Sequence, residues 1–424
     1  MGSLVVSRGV SSPSTVEVVI AGAGPAGVAT ALALARRLPA LAGRILCLDR
    51  AHFPRPKPCG GGLTGHAHRA LETLGLEVRV PRVACTSGRL VYGAVGADVA
   101  LARPVDIVRR EDFDADLVAQ ARARGIEIVE GEGVAAFEVN RAARWVGVTT
   151  TRGRALRARI LVGADGVGSR VRRALVASGA GAIPLRLFKA EVVAPPALRL
   201  ERRMIYDFSP MDSGLRGYVW LFPVAGGLVN VGAMHYPSRH LPGGDIERVL
   251  RRTLVGHGVQ LASPARGWPA WRYDPHLSIA GAHLLLVGDA AGIDALTGEG
   301  IAVGLEQGMV AAEAIADAFA RDDFRFAGYT AAVRAAVVGR ELALDRWAAA
   351  LLYPPSGFSV GLSMAMFDRR VRELYAARVS GSAVLADEKP ALVGALLRHA
   401  VAAPRRLRDL EEARLSALQQ SHPG

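Results

Sequence analysis

The sequence predicts an α/β protein in three parts: a parallel sheet layered with helices, a second lobe of mixed β-sheet, and a C-terminal helical segment. Three observations carry this. Val16 to Ala35 reads as strand, glycine turn and helix without a break. Two later apolar runs also end in glycine with an acid beside it, at Gly163-Ala164-Asp165-Gly166 and Gly288-Asp289. Residues 180–275 have fewer helical periods and more alternation, with prolines as breaks.

The first stretch organises the rest. Val16, Val18, Val19 and Ile20 form a β-branched run of the kind buried in a parallel sheet. It ends in Gly22-Ala23-Gly24-Pro25-Ala26-Gly27 and continues as the apolar helix Val28 to Ala35. G-x-G-x-x-G between a strand and a helix is the Rossmann-like dinucleotide fingerprint. Gly22 permits the tight turn, Gly24 lets backbone approach a pyrophosphate, and Gly27 lets helix pack on strand. The helix N-terminus then turns its free N–H groups and positive dipole end to the diphosphate. Asp49 closes a second strand, Arg44 to Asp49, 22 residues beyond Gly27. An acid at that distance accepts hydrogen bonds from a ribose hydroxyl pair.

Composition narrows the classes. The chain has 424 residues, half of them apolar, enough for two packed lobes and too apolar for disorder. Its formal charge of +13 invites a nucleic-acid reading, but all except three of the 52 basic residues are arginine, scattered along the chain with no basic tail. No nucleic-acid partner is expected. A basic surface remains compatible with a peripheral contact to anionic lipid. Cys47, Cys59 and Cys85 make neither a metal pattern nor a disulfide framework, so a reducing cytoplasm is the default compartment. Two uncharged stretches, Val18 to Ala35 and Ala348 to Phe367, have the length of a membrane span. Gly-Ala-Gly-Pro-Ala-Gly interrupts the first and Pro354-Pro355-Ser356-Gly357 the second, so neither is expected to cross a bilayer. The first fifteen residues read as a loose tail.

After Asp49 comes a loop of breakers, Phe53-Pro54-Arg55-Pro56-Lys57-Pro58-Cys59-Gly60-Gly61-Gly62-Leu63. A structural turn needs one glycine; three together imply close backbone approach to a flat ligand face. Cys59 reads equally as a small buried filler or a chemical group. Residues 65–76 read as a helix and Val83 to Ala102 as strands. Arg110 stands just ahead of a helix through Ala123, where it either pairs with a phosphate or lies in solvent. Gly125 to Val129, Val134 to Val139 and Trp145 to Thr151 read as strands, the last two part of a small meander. Ser169 opens a helix after Asp165-Gly166. In Tyr218-Val219-Trp220-Leu221-Phe222-Pro223 strand alternation puts Tyr218, Trp220 and Phe222 on one face, with Leu228 to Gly232 returning as hairpin partner. That face is either ordinary core or a ligand wall. Leu284 to Val287 delivers Asp289 to the carboxyl edge of the sheet, and Gly298-Glu299-Gly300 opens a helix from Ile301 to about Ala320. Its dipole would favour an anionic ring at the same edge. Residues beyond 324 read as a helical cap.

Taken in order, these motifs resemble the FAD-dependent oxidoreductases of the para-hydroxybenzoate hydroxylase fold over about residues 16–320. Within that superfamily, the Phe53-to-Leu63 loop resembles the signature of the geranylgeranyl reductase family. Tyr218-x-Trp220-x-Phe222-Pro223 is similar to its substrate box, and Arg110-x-x-Phe113-Asp114 to its FAD-contacting arginine segment. Two positions differ: the box finishes Gly232-Ala233-Met234 where the family has Gly-x-Gly, and Ala295 stands where it has proline.

The resemblance implies a discontinuous FAD-binding domain of glutathione-reductase type at 16–80, 105–178 and 276–325. A substrate-binding sheet would take 81–104 and 179–275, leaving 1–15 as tail and 326–424 as helical region. It implies that Asp49, with Arg50, holds the adenosine ribose, that Arg110 approaches the phosphates, and that Asp165 and Gly166 serve FAD and the nicotinamide donor together. Asp289, after Gly288, would hold the ribityl chain; Gly298, Gly300 and Ile301 would meet the flavin pyrimidine edge; Cys59, Gly60, Gly61 and Gly62 would lie against the ring. Val134 is also counted among the cofactor contacts. NADPH or NADH is the implied donor, without a second nucleotide fold. The implied reaction reduces a carbon–carbon double bond in a prenyl lipid or other apolar substrate, held by Tyr218, Trp220, Phe222 and the Leu351 to Phe367 region, with Cys59 and Tyr218 as candidate proton donors.

A flavin monooxygenase, or a halogenase, on the same scaffold is the alternative. Against it, Ala290-Ala291-Gly292 follows Asp289 where hydroxylases commonly carry Ala-Ala-His. The halogenase Trp-x-Trp motif is only partly matched, with Tyr218 at its first position.

Overall fold

The computed structural model describes residues 14–176, 184–236, 241 and 243–401. The organising strand, Val18–Ala21, lies near the middle of a six-stranded sheet, and Val18, Val19 and Ile20 are fully buried. Each such side chain contributes about 1.5–3 kcal/mol. On one side it pairs in parallel with Ile45–Asp49, which pairs with Glu127–Glu130. On the other it pairs with Ile160–Gly163, then Leu284–Leu286, also in parallel. Ala280–Gly281 closes that edge antiparallel. The chain reverses direction across the sheet between Val18–Ala21 and Ile160–Gly163, so a crevice opens where Gly22 and Asp165 leave their strands. That is the usual ligand edge of an open α/β sheet.

Helix α1 (Pro25–Arg37) begins with Pro25 at its first turn, where a missing N–H costs nothing. It is followed by α2 (Gly65–Leu74), α3 (Arg110–Ala123), α4 (Arg170–Leu175), α5 (Gly243–Gly256) and α6 (Ile301–Arg321). Helices α1 and α6 pack closely because Gly304 and Gly308 face Ala26 and Ala29; a Cβ on Gly308 would stand 2.7 Å from the Ala26 carbonyl oxygen. The meander Val134–Asn140, Trp145–Thr150 and Ala155–Ala158 forms a four-stranded sheet. Its fourth strand is Ser14–Thr15, so the expected tail is structured at its last two residues; the rest of it lies outside the described residues.

The second sheet has eight strands, in the order Arg266–Ala270, Leu185–Val193, Leu228–His235, Gly217–Val224, Arg203–Asp207, Arg82–Tyr92, Val95–Val108 and Gly62–Leu63. Both faces of its central strands are covered. Val219, Leu221, Val229 and Val231 pack on Ile246, Leu250 and Leu254 of α5, while Tyr218, Trp220 and Phe222 face the other way. α7 (Tyr329–Ala335) packs Tyr329 and Val333 into the core of the six-stranded sheet, whereas that second face is closed by α8 (Val337–Leu352), α9 (Pro355–Phe367), α10 (Arg369–Val379) and helical residues 389–401, with Ala349 and Tyr353 in its core. The break expected near Pro354 separates α8 from α9. Among the described residues, no helix is long and apolar enough to cross a membrane. The strand Val95–Val108 runs straight through the boundary expected at 104, and the glycine loop itself ends as a strand of this sheet.

Candidate active site

The three fingerprint glycines do different work. Gly22 has φ +107° and lies against the Ala164 carbonyl, and a Cβ on Gly27 would collide with the Gly22 carbonyl oxygen. Both are therefore required by the protein's own packing. At Gly24 the backbone is extended, φ −72°, and a Cβ would meet only the Arg55 guanidinium, at 3.4 Å. Gly24 is spared a side chain for something other than the chain itself. Ala23 donates its N–H to Asp49 Oδ2 at 3.0 Å, and Ala51 donates to Oδ1 at 2.9 Å. Asp49 thus ties the turn to the second strand while each oxygen keeps a lone pair for a ribose hydroxyl. Arg50 is exposed and packs against Gly133, next to the buried Val134.

Arg110 does not lie in solvent. It is the first residue of α3, buried, and forked onto Asp114 with Nε–Oδ1 2.8 Å and Nη2–Oδ2 2.9 Å. Burial works against its charge, but Asp114 and the Cys59 side chain overcome that and hold the guanidinium firmly protonated. Arg55 shares Asp114, at 3.3 Å, and is the cation that reaches Gly24. Lys57 stands between Asp289, Nζ–Oδ2 2.8 Å, and the Trp268 ring, 4.7 Å from its centroid. Burial raises the pKa of Asp289; Lys57, Arg110 and Arg55 outweigh it and bring the carboxyl below its usual value. Gly288, at φ +61°, donates to the buried Gln307 of α6 at 2.7 Å, and Gly300 caps α6 beside Asp289. Gly298 is left-handed at φ +76°, and Ile301 is buried at the start of α6. Asp165 accepts from the Arg170 N–H with Oδ2, whereas its buried Oδ1 has no partner; Gly166 follows at φ +75°. Burial raises the Asp165 carboxyl pKa.

Cys59, Gly60, Gly61 and Gly62 line a cavity of about 150 Å³ together with Lys57, Arg110, Tyr218, Trp220, Phe222, Asp289, Gly298, Glu299 and Gly300. The fingerprint, Asp49, Arg50, Val134, Asp165 and Gly166 lie outside it, further along the sheet edge. Within the cavity the aromatic face is fitted to the loop: Phe222 lies so close to Gly60 that a Cβ would be 2.9 Å from its ring. Trp220 spans its cross-strand partner Gly232, where any Cβ would hit the indole. Asn230, which sequence reasoning overlooked, joins the two parts. Its Oδ1 accepts from Trp220 Nε1 at 2.9 Å, and its Nδ2 donates to the Cys59 and Gly60 carbonyls at 2.8 and 3.2 Å. The available signal was a lone amide on the aromatic face, opposite Phe222. Asn230→Val should leave a buried indole N–H and two carbonyls unpaired, costing about 2–3 kcal/mol. The expected result is a lower denaturant midpoint and weaker FAD binding together.

Tyr218 is poorly suited to donating protons. Its hydroxyl already donates to the Thr297 carbonyl at 2.5 Å, and burial carries its pKa well above that of a free phenol. Cys59 Sγ accepts from the Gly61 N–H at 3.4 Å and meets Arg110. Of the two positions that differ from the family pattern, Met234 pairs across from Tyr218 and touches the site of Gly298, and Ala295 is buried in the same core.

A second cavity, of about 240 Å³, opens between this sheet and α8–α10. Leu90, Leu101, Phe208, Leu351, Leu352, Phe358, Leu362 and Met364 line it, so its wall is aliphatic and aromatic almost throughout. It shares Met204, Tyr206, Tyr218, Thr297, Tyr375 and Val379 with the smaller cavity. The structure thus places Tyr218 in both cavities and confines Trp220 and Phe222 to the smaller.

Residues 15–217 match the family described as FAD binding domain. The chain is 30% identical over 336 residues to the menaquinone reductase of Mycobacterium tuberculosis, covering 72% of this chain and 77% of that one. It is 31% identical to digeranylgeranylglycerophospholipid reductase 2 of Methanopyrus kandleri, covering 72% and 78%. Among solved structures, a geranylgeranyl bacteriochlorophyll reductase-like protein of Thermoplasma acidophilum shares the fold, with a TM-score of 0.68 at 19% identity over 95% of this chain and all of that one. With a glycine turn open at Gly24, an unpaired carboxylate oxygen at Asp165 and a glycine-walled cavity ending at α6, the residues present fit FAD. The chain belongs to the geranylgeranyl reductase family of FAD-dependent oxidoreductases.

Proposed function

We propose that the protein reduces carbon–carbon double bonds in a long isoprenoid chain, with NADPH or NADH as electron source. The observation that carries this is the apolar cavity meeting the glycine-walled cavity at Tyr218. A prenyl chain has nothing to hydrogen-bond and needs only a dry groove of aliphatic and aromatic groups. FAD, when bound, supplies a two-electron carrier able to pass hydride from a nicotinamide to an alkene carbon. The chain's own residues then divide the work. Gly24, Arg55 and the N-terminus of α1 receive the pyrophosphate, Asp49 the ribose, and Asp289, fixed by Lys57, the ribityl hydroxyls. Backbone at Cys59 to Gly62, held by Asn230, would face the ring, and the α6 dipole at Gly300 would favour negative charge there. Tyr218, Trp220 and Phe222 exclude water and orient the alkene.

The relatives' names, menaquinone reductase and digeranylgeranylglycerophospholipid reductase, both denote action on prenyl lipids and support this class. A peripheral membrane contact fits the same reading: Trp347, on the wall of the larger cavity, is 39% exposed, and Leu397 and Val401 are exposed on the last helix.

The test is an anaerobic titration of the yellow protein with NADPH, followed by a prenyl lipid or, separately, air. Bleaching by NADPH and return of colour with the lipid, with a saturated product, are expected. Colour returned only by oxygen, with a hydroxylated product, would overturn the reading in favour of a monooxygenase.

A further inference from the structure

We infer that Glu299 is the proton donor of the double-bond reduction proposed above, and the inference rests on that reading. Adding hydride to one alkene carbon leaves the π pair to take a proton at the other, so an acid must face the same cavity. The described titratable groups lining it are few. Asp289 is bound to Lys57 as a carboxylate, and Lys189 is paired with Glu191 at 2.5 Å. Arg110 is forked onto Asp114. Tyr218 donates to Thr297, and burial makes Tyr206 and Tyr375 weaker acids than free phenols. Cys59 Sγ accepts from the Gly61 N–H and meets the Arg110 guanidinium, which leaves a weak S–H donor at best. Glu299 remains.

Its geometry suits the task. Glu299 sits between Gly298 and the cap of α6, on the wall of the glycine-loop cavity. The Thr64 hydroxyl, at the cap of α2, donates to Oε1 at 2.6 Å. With Oε1 committed as acceptor to Thr64, Oε2, which no described hydrogen bond engages, is the oxygen free to carry the acid proton. Burial is the largest influence on this carboxyl and raises its pKa, with Asp294 acting in the same direction. Arg378, the Thr64 hydrogen bond and His66 oppose it without prevailing. Burial therefore favours the protonated form more than in a free carboxyl, and Arg378 and His66 stabilise the carboxylate once the proton has left. The step balances: hydride from the reduced cofactor forms one C–H bond, the π pair takes the Oε2 proton to form the other, and Glu299 is recharged from solvent.

The experiment compares the FAD-loaded parent, Glu299→Gln and Glu299→Asp. Glutamine keeps the acceptor for Thr64 and lacks the proton. The ratio of lipid-driven recolouring to NADPH-driven bleaching should fall about 100-fold in Glu299→Gln and partly recover in Glu299→Asp. The parent's lipid-driven rate should decline as pH rises through the Glu299 pKa, and that limb should vanish in Glu299→Gln. Independently of turnover, the resting parent should show the infrared carbonyl stretch of a protonated carboxyl, shifted in D₂O and missing from Glu299→Gln. An unchanged ratio, or an infrared band surviving the substitution, overturns the proposal alone. A parent that reduces no prenyl alkene overturns the substrate reading, and the reaction assigned to Glu299 falls with it.

Discussion

Gly24→Val is expected to give a folded, colourless protein. Gly24 is extended, at φ −72° and ψ −177°, a conformation open to any residue. Its Cβ position meets nothing of the chain but a flexible arginine tip. The cost to folding is then about 1 kcal/mol, because valine is a poor helix cap. The cost to the cofactor is much larger, since a branched side chain fills the space through which backbone N–H groups approach the pyrophosphate. FAD affinity should drop about 1,000-fold, about 4 kcal/mol. Gly27→Val is the control with the opposite outcome, because its side chain would drive into the Gly22 carbonyl and break the fold with or without FAD. Flavin absorbance after purification, FAD titration by fluorescence and thermal melts separate the two. A Gly24→Val protein that stays yellow with parental affinity would remove the fingerprint from the cofactor site.

The contrast between Gly24 and Gly27 also shows what local pattern conveys. Strand, turn, helix and acid were legible because each is set by residues within one supersecondary unit. Alternation likewise placed Tyr218, Trp220 and Phe222 together, since pleat geometry follows from the chain itself. One strand, Val95–Val108, spans the boundary expected at 104. Val95–Val108 alternates while one face of the sheet is open, then Val105–Val108 is buried on both faces where the strand passes beneath the cofactor domain. The change in pattern is real, but it marks a change of neighbours along one strand. Arg55, Asn230 and Glu299 escaped notice because their importance comes from partners 59, 171 and 235 residues away, at Asp114, Cys59 and Thr64. Arg110 was seen, yet its fork onto Asp114 one helical turn later, and the shared use of Asp114 by Arg55, depend on packing that spacing alone does not specify.

Arg378→Leu should be the most damaging single change outside the cofactor edge. Arg378, on α10, is buried and binds Asp345 of α8 through Nη1 at 2.8 Å and Nη2 at 2.5 Å. Its Nε lies 2.8 Å from Glu341, also on α8. One cation therefore serves two buried carboxylates, with Asp294 close enough to act on both Asp345 and Arg378. The ionic assembly is a poor source of net stability compared with apolar packing, but removing Arg378, the one cation paired with it among the described residues, leaves buried carboxylates that water cannot reach. A loss of about 3–5 kcal/mol is expected. The pH dependence identifies the cause. Burial is the largest influence on Asp345 and raises its pKa well above normal; Arg378 pulls it down, while Asp294 and Glu341 push it up. A carboxyl raised in the folded state contributes stability that is fully present below its unfolded pKa, about 3.9, and is lost as pH rises through the folded value. Leucine removes the one downward pull, so the folded value rises further and the deficit against the parent should widen from about pH 4 towards neutrality. Denaturant melts of both proteins across that range measure it. The site is coupled as well, because Asp294 also accepts from the Leu296 and Thr297 N–H groups at 2.6 and 2.9 Å, fixing the loop whose Thr297 carbonyl receives the Tyr218 proton. A variant equally stable at pH 4 and pH 7 would show that packing of α10, and not its charge, holds the helical cap over the apolar cavity.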